Sequence, residues 1–454
     1  MPKIQKTVLN RVEGEIELKL EWENGKIKDV FIIAPNFRGF EFILEGKPPL
    51  DSLVITPRVC GICGHAHLIA TTNALEKAYE NAGYPLEISE KARIIRKLTL
   101  SAEIVQNHIK WFYLFVFPDI LKLEKGNKQF ENFIPIKGSQ WRKALEYGSK
   151  IVKIISLFGG QWPHTSYSLP GGVVSDPTTF EIVEAIDIVD SLINYVEQNI
   201  LGMNAEDYLS ITDPEIFFKK SVGDLKLFLQ TIKKHNFHKI GKAYKRFLTV
   251  CEMNPVIAKG ITRRKKCEFD INKVKEIKTF SYLSDDKNLD NKYSWATAVR
   301  YDGYPYETGP LARRINNQDP LFLNLLSEYK DSYFTRIWAR VDEIIKLLFS
   351  MKQWLQEMNL KEKSFIQPEI DIKELETEGY GTVEAARGSL IHFIKVKEGK
   401  IQKYEIITPS VWNLGTRCEK YLSPAEKAIK GLKSELQAEM VLRSFDVCSV
   451  CTTH

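Results

Sequence analysis

The chain has 454 residues, 44% of them hydrophobic, with a mean hydropathy of −0.24, ample material for a large core. Its formal charge of +6 is the small excess of 64 Lys and Arg over 58 Asp and Glu. The bases are dispersed and no nucleic-acid motif accompanies them, so no nucleic-acid partner is expected. No apolar run approaches the roughly 20 residues of a membrane helix, so no direct membrane span is expected either.

Residues 1–18 contain neither an apolar export core nor a twin arginine, and the expected location is cytoplasmic. Residues 14–34 alternate around Ile16, Leu18, Leu20 and Trp22, then Ile27, Val30 and Ile32. The Asn24-Gly25 pair between the two runs predicts a tight hairpin turn. Apolar residues at three- and four-residue spacing predict helices over 86–117, 140–158, 178–201, 223–250 and 320–358. Gly/Pro-rich loops at 159–177 and 303–310 interrupt them. A second hairpin is predicted over 390–407, turning at Glu398-Gly399. A last helix over 424–442 starts at Pro424 after Ser423 and leads to the C-terminal motif. No linker divides the chain. The expected fold is mainly α with small β-hairpins (α+β): a large helical-bundle body, one domain over 1–454, whose two ends meet at a buried metal centre.

That centre is predicted from Cys60 and Cys63 in RVCGICGHAH and Cys448 and Cys451 in DVCSVCTTH. An odd total of seven cysteines, four of them in Cys-x-x-Cys pairs, fits metal binding in a reducing compartment better than a disulfide framework. Four thiolates are a full ligand set. Spacing alone admits structural zinc, an iron–sulfur cluster or a catalytic metal. Arg58, His65, His67, Asp446 and His454 flank the thiolates. Structural zinc needs none of them, whereas a catalytic centre needs groups that orient and tune its sulfurs. His65 receives no role.

The segments Arg58-x-Cys60-Gly61-x-Cys63-x-x-x-His67 and Asp446-x-Cys448-x-x-Cys451-x-x-His454 resemble the paired metal-binding signatures of the [NiFe] hydrogenase large subunit. Arg11-Val12-Glu13-Gly14, Arg38-Gly39-Phe40-Glu41, Asn107-His108, Glu307-x-Gly309-Pro310, Glu384-Ala385-Ala386-Arg387-Gly388 and Thr408-Pro409-Ser410-x-Trp412-Asn413 extend the resemblance in order along nearly the whole chain.

The resemblance implies that Cys60, Cys63, Cys448 and Cys451 hold nickel. Cys63 and Cys451 also bridge to an iron that carries CO and two CN ligands. The implied reaction is heterolytic cleavage of H2 to protons and electrons, with Cys448 as first proton acceptor and Glu13 as next relay. Arg387 matches the arginine over the open metal position, and Asp119 a carboxylate near it. Pro409 and Ser410 match the segment that contacts a cyanide, and His67 the histidine that hydrogen-bonds a bridging cysteine. Glu41, the backbone of Ile406 and His454 match the ligands of a magnesium-type ion. Four thiolates and two cyanides against two divalent metals leave such a cluster about two units negative, so its pocket must supply cations and hydrogen-bond donors.

Val447 and Ala386 stand where the family usually has proline, which relaxes the backbone without removing a ligand. Only Cys251, Cys267 and Cys418 remain, too few for an iron–sulfur relay, so a small subunit carrying the clusters is the expected partner. Family resemblance also implies nickel-insertion factors and a maturation endopeptidase, with His454 as the end of a processed chain. Ile62 and the GGQWPH loop resemble the cytoplasmic hydrogen-uptake and sensing branch, which leaves a low-turnover H2 sensor as an alternative. A non-catalytic relative of the complex I type would lack the four cysteines.

Overall fold

The computed structural model describes residues 3–286 and 288–453. Strands β1 (Lys3–Val8), β2 (Glu17–Glu23) and β3 (Lys26–Ile33) form an antiparallel sheet in that order. Asn24 and Gly25 take φ of 51° and 72°, the primed turn their pairing predicts. A register shift opposite Glu21 and Trp22 accounts for the three-residue step from Ile27 to Val30, both buried. The alternation does not predict β1, whose residues are mostly polar and exposed.

Helix α1 (Gly64–Asn81) starts directly after Cys63. It is buried around most of its circumference and so lacks the apolar stripe that betrays a surface helix. Helix α2 (Glu90–Lys110), capped by Ser89, runs through a π-helical turn at Trp111–Val116 into α3 (Phe117–Leu123). Helices α4 (Ser139–Ile151) and α5 (Lys153–Gly159) divide the segment predicted as one helix. Next comes α6 (Thr179–Tyr195), opened by a Thr178/Glu181 capping box. Helix α7 (Asp224–Lys234) is far shorter than the predicted 223–250: Asn236 turns the chain at φ 62°, and Phe247–Thr249 pairs as strand β4.

Helices α8 (Pro310–Asn316), α9 (Pro320–Tyr329) and α10 (Tyr333–Glu357) follow. Lys330 at φ 62° separates the last two, where one helix is predicted. Helix α10 packs against α2 and α6 in the centre of the bundle, and α4 packs on α2.

Strands β5 (Thr377–Ala385), β6 (Gly388–Lys397) and β7 (Lys400–Ile407) make a second antiparallel sheet. The predicted hairpin is β6–β7, with Glu398 and Gly399 at φ 53° and 72°. The chain ends through α11 (Pro409–Leu414), α12 (Pro424–Ile429) and α13 (Glu435–Arg443). Gly431, at φ 89°, breaks the helix predicted over 424–442.

Helix α1 lies directly on β5. A Cβ at Gly381 would sit 2.0 Å from the Ala70 carbonyl oxygen, and one at Gly379 2.4 Å from that of Ala74. These two glycines set the helix-to-sheet distance. Gly381→Val must push α1 off the sheet and should lower stability by at least the ~1–3 kcal/mol typical of overpacking. Urea unfolding measures it, and an unchanged midpoint would mean that the seam is looser than described.

Candidate metal centre

The N-terminal ligand loop is a short 3-10 turn, Thr56–Val59, followed by Cys60 in extended conformation and Cys63 at the cap of α1. The C-terminal ligands follow α13 through Asp446, at φ 58°, and a turn at Ser449–Cys451. Strand-like pairing joins this turn to the segment before β2. The Glu13 N–H donates to the Val447 carbonyl at 3.3 Å, and the Ser449 N–H to the Glu13 carbonyl at 2.8 Å. Gly14 makes this approach possible, because a Cβ there would meet the Ser449 hydroxyl at 2.3 Å. Arg38 Nη2 donates to the carbonyls of both Val59 and Val450, one in each ligand loop. The Thr408 hydroxyl donates to the Cys451 carbonyl, and that of Thr452 to the Cys448 carbonyl at 2.8 Å.

These contacts gather all four predicted thiols in a buried cluster, with every sulfur within 4.8 Å of the others. Cys60 and Cys448 are 3.7 Å apart, Cys63 and Cys451 3.3 Å. Both separations far exceed a disulfide bond of about 2.05 Å, and all seven cysteines are free. Hydrogen bonding among the sulfurs splits their acidities: Cys60 is held well below the usual thiol range, and Cys63 and Cys451 well above it. Four such thiols release their protons together only when a cation joins them.

Arg387 sits in the turn between β5 and β6, 3% exposed, and lines a small cavity with Cys63, Cys451, Ala66, Leu390 and Ser410. Burial opposes its charge, but Asp446 and the cysteine sulfurs outweigh burial and raise its pKa. Its Nε donates to the Asp446 carbonyl at 3.1 Å. Nη2 lies 3.2 Å from Asp446 Oδ1, within ion-pairing distance but misaligned for a hydrogen bond. Nη1 and Nη2, with the Ser410 hydroxyl, are therefore buried donors without hydrogen-bond partners. An anionic group bound at the sulfurs would satisfy them, so the residues present fit a negatively charged metal cluster.

The carboxylate beside Arg387 is Asp446, not the predicted Asp119. Asp446 Oδ2 accepts from Asn107 at 2.7 Å and Arg340 at 3.0 Å. Asp119 lies beyond the π-helical turn and faces α13 and the N-terminal segment. It accepts from Arg443 at 2.9 and 3.1 Å and from Arg11, which makes it a clamp between the two chain ends. Glu307 and Glu384 are likewise held in buried ion pairs, with Arg336 and Arg313.

Glu13 is half-buried beside Cys448, and burial raises its pKa despite the opposing field of Arg387. It belongs to the loop before β2 and not to the hairpin itself. His67 Nε2 is 3.9 Å from the Cys451 sulfur. Glu41 Oε1 accepts from the Ile406 N–H at 2.7 Å, which brings two of the three predicted magnesium-type ligands together; His454 lies outside the described residues. Pro409 and Ser410 open α11 at the cavity. Arg58 instead turns outward to the Val54 carbonyl, and His65 stacks on Tyr167.

Glu103 carries no sequence signal, because an acid within a helix that also holds Glu90 and several Lys and Arg belongs to no motif. Its carboxylate accepts from the N–H groups of His65 and Ala66 at 3.1 Å each. It thereby holds the first turn of α1, just behind Cys63. His392, on β6, carried no sequence signal either and contacts His67 at 2.9 Å.

Four buried cysteines, closed in by the N- and C-terminal segments and overhung by an unsatisfied guanidinium, define a four-cysteine metalloenzyme centre. Residues 38–128 and 135–454 match the family model described as nickel-dependent hydrogenase. The chain is 28% identical to the periplasmic [NiFeSe] hydrogenase large subunit of Desulfomicrobium baculatum, over 100% of this chain and 95% of that one. It is 25% identical to the sulfhydrogenase 2 subunit alpha of Pyrococcus furiosus, over 98% and 97%. The reduced [NiFeSe] hydrogenase of D. vulgaris Hildenborough superposes with a TM-score of 0.84 at 26% identity, covering both chains completely. This chain belongs to the nickel-dependent hydrogenase family and is a catalytic large subunit. The relatives come from several branches, and the four gathered cysteines dispose of the non-catalytic alternative.

Burial holds Glu103 protonated up to about 8, against an ordinary value of 4.5. A carboxyl raised in the folded state costs no stability below its unfolded pKa and progressively more as pH rises through the folded one. Glu103→Gln should therefore gain stability relative to the parent between pH 5 and pH 8. Unfolding midpoints across that range check it; a constant difference would mean that the parent carboxylate is already ionised.

Proposed function

We propose that this chain catalyses the reversible heterolytic cleavage of H2 to protons and electrons at a nickel–iron centre held by Cys60, Cys63, Cys448 and Cys451. The observation that carries the reading is the four-sulfur cluster facing the unsatisfied donors of Arg387 and Ser410. When bound, such a centre supplies the redox and Lewis-acid chemistry at which H2 is split. Cys63 and Cys451, which line the cavity beside Arg387, would hold the iron as well as the nickel. Arg387, Pro409 and Ser410 would face the CO and CN ligands of the iron.

The chain's own residues move the proton. The Cys448 sulfur receives it first. Glu13, paired through its backbone to the segment around Cys448 and carrying a raised pKa, receives it next. A carboxyl shifted upward gives up a proton more slowly than a surface one but accepts it more readily from a thiol. Arg387 keeps its charge throughout, and Asp446 keeps Arg387 in place. Glu41, the Ile406 backbone and His454 would hold a magnesium-type ion.

Electrons leave through a partner. Among the described residues the four-cysteine group is the one thiol cluster, so an iron–sulfur small subunit is proposed as acceptor. Phe42, Ile43, Leu50 and Val54, exposed at 63, 46, 40 and 47%, offer it an apolar face beside the first ligand loop. No described helix is long and apolar enough to cross a membrane. Seven free thiols favour a reducing compartment, which supports a cytoplasmic uptake enzyme.

Metal analysis of the purified complex should find one nickel and one iron per chain; zinc without nickel would sink the reading. Arg387→Lys should keep both metals yet lower H2 turnover with an artificial acceptor by orders of magnitude, because an ammonium lacks the guanidinium fork. Undiminished turnover would remove Arg387 from the mechanism.

A further inference from the structure

Beyond His67, which faces Cys451, the hydrogen bonds continue inward through residues that none of the metal-binding motifs contains. His67 Nδ1 lies 2.9 Å from His392 Nε2. On the far side of that ring, His392 Nδ1 lies 2.8 Å from the Tyr404 hydroxyl and 3.1 Å from that of Thr71. The two hydroxyls are 2.9 Å apart. Thr71 is also 2.7 Å from the Thr56 hydroxyl, which donates to the Ser52 carbonyl at 2.8 Å. Every member is at most 2% exposed.

The carbonyl end of this array directs the threonine protons, and the thiolate end those of the two imidazoles. A carbonyl only accepts, so the Thr56 proton belongs to Ser52. The short Thr56–Thr71 contact then takes the Thr71 proton and leaves that oxygen an acceptor. Of the two hydroxyls beside His392 Nδ1, only Tyr404 then keeps a proton that it can give to that nitrogen. At the other end a metal-ligating thiolate also only accepts, so His67 Nε2 carries the proton that faces Cys451. With one proton per imidazole, His67 Nδ1 is then an acceptor. His392 Nε2 must donate to it, and His392 Nδ1 must accept from Tyr404. The hydroxyl end thus holds the donor that the thiolate end requires.

We infer that His392, itself oriented by Tyr404, is a positioning residue that fixes the tautomer of His67 and so aims an N–H at the sulfur of Cys451. Reversing the tautomer would turn a bare lone pair toward the thiolate. The inference rests on the reading of Cys451 as a metal ligand and extends it from the ligand to the group that tunes it. A hydrogen bond to a ligating sulfur withdraws electron density from the metal and raises the reduction potential of the centre.

The test uses the metal-loaded complex. His392→Phe should retain nickel and iron, shift the midpoint potential of the nickel signal downward in a redox titration followed by electron paramagnetic resonance, and lower H2 oxidation roughly 10-fold. His392→Gln, whose amide can donate to His67 and accept from Tyr404, should restore the parent potential. Tyr404→Phe should move it in the same direction as His392→Phe, by less. An unmoved potential in His392→Phe overturns the inference, as does a Gln variant displaced as far as Phe. If the Phe variant does not load metal, Tyr404→Phe decides alone, and an unmoved potential there overturns it. A parent protein without nickel would defeat the hydrogenase reading itself; nickel in the parent with insensitive variants would defeat only this inference.

Discussion

Four thiols cannot be buried within 4.8 Å of one another as anions unless a cation neutralises them and the surrounding chain resists their repulsion. The resistance comes from backbone. Glu13 pairs through its N–H and its carbonyl with Val447 and Ser449, Arg38 ties the two ligand loops through the carbonyls before Cys60 and Cys451, and Thr408 holds the carbonyl of Cys451 itself. None of these contacts uses a sulfur. The geometry of the cluster is therefore set by groups whose own chemistry is indifferent to the metal's oxidation state, and a redox centre needs that separation.

Charge is arranged in a second layer with the same logic. Arg387 and Arg340 converge on Asp446, and Arg313, Arg314 and His108 converge on Glu343. Burying these ions is costly, and each pair is justified only where its partners are fully engaged. Arg314 Nε and Nη1 and Arg340 Nε are also without hydrogen-bond partners, but Arg387 carries its two unspent donors at the cavity lined by Cys63 and Cys451. Unsatisfied donors that face the cysteine cavity mark where the bound anion belongs. Asp119 and Arg443 show the contrasting case, a fully engaged pair that ties α13 to α3.

The thiolate site was legible because four cysteines in two Cys-x-x-Cys pairs are chemically distinctive at any separation. The two hairpins were legible because Asn24-Gly25 and Glu398-Gly399 supply the positive φ that tight turns require. Helix α1 was not, since a helix buried on nearly every side has no periodicity to read. Nor were the breaks at Lys330 and Asn236, where single residues adopt positive φ under tertiary constraint rather than by propensity. Asp119 was misplaced for a related reason. Sequence order puts it on the helix after the ligands, but the π-helical turn at Trp111–Val116 rotates it toward α13. Glu103 and His392 act through backbone N–H groups and another imidazole, partners that leave no mark in composition or spacing.

One seam joins the two halves of the site. Helix α1 carries Cys63 at its cap and His67 one turn on, while the sheet carries Arg387 at the β5–β6 turn, His392 in β6 and Ile406 opposite it in β7. The distance from guanidinium to sulfur, and from His392 to His67, is thus the distance between α1 and β5. Gly379 and Gly381 fix it by letting the helix backbone rest on the strand. A side chain at either position would move Arg387 and His392 away from the cysteines together, though neither glycine touches the site. Close backbone packing far from any ligand therefore sets both the reach of the arginine over the metal position and the hydrogen bond behind Cys451.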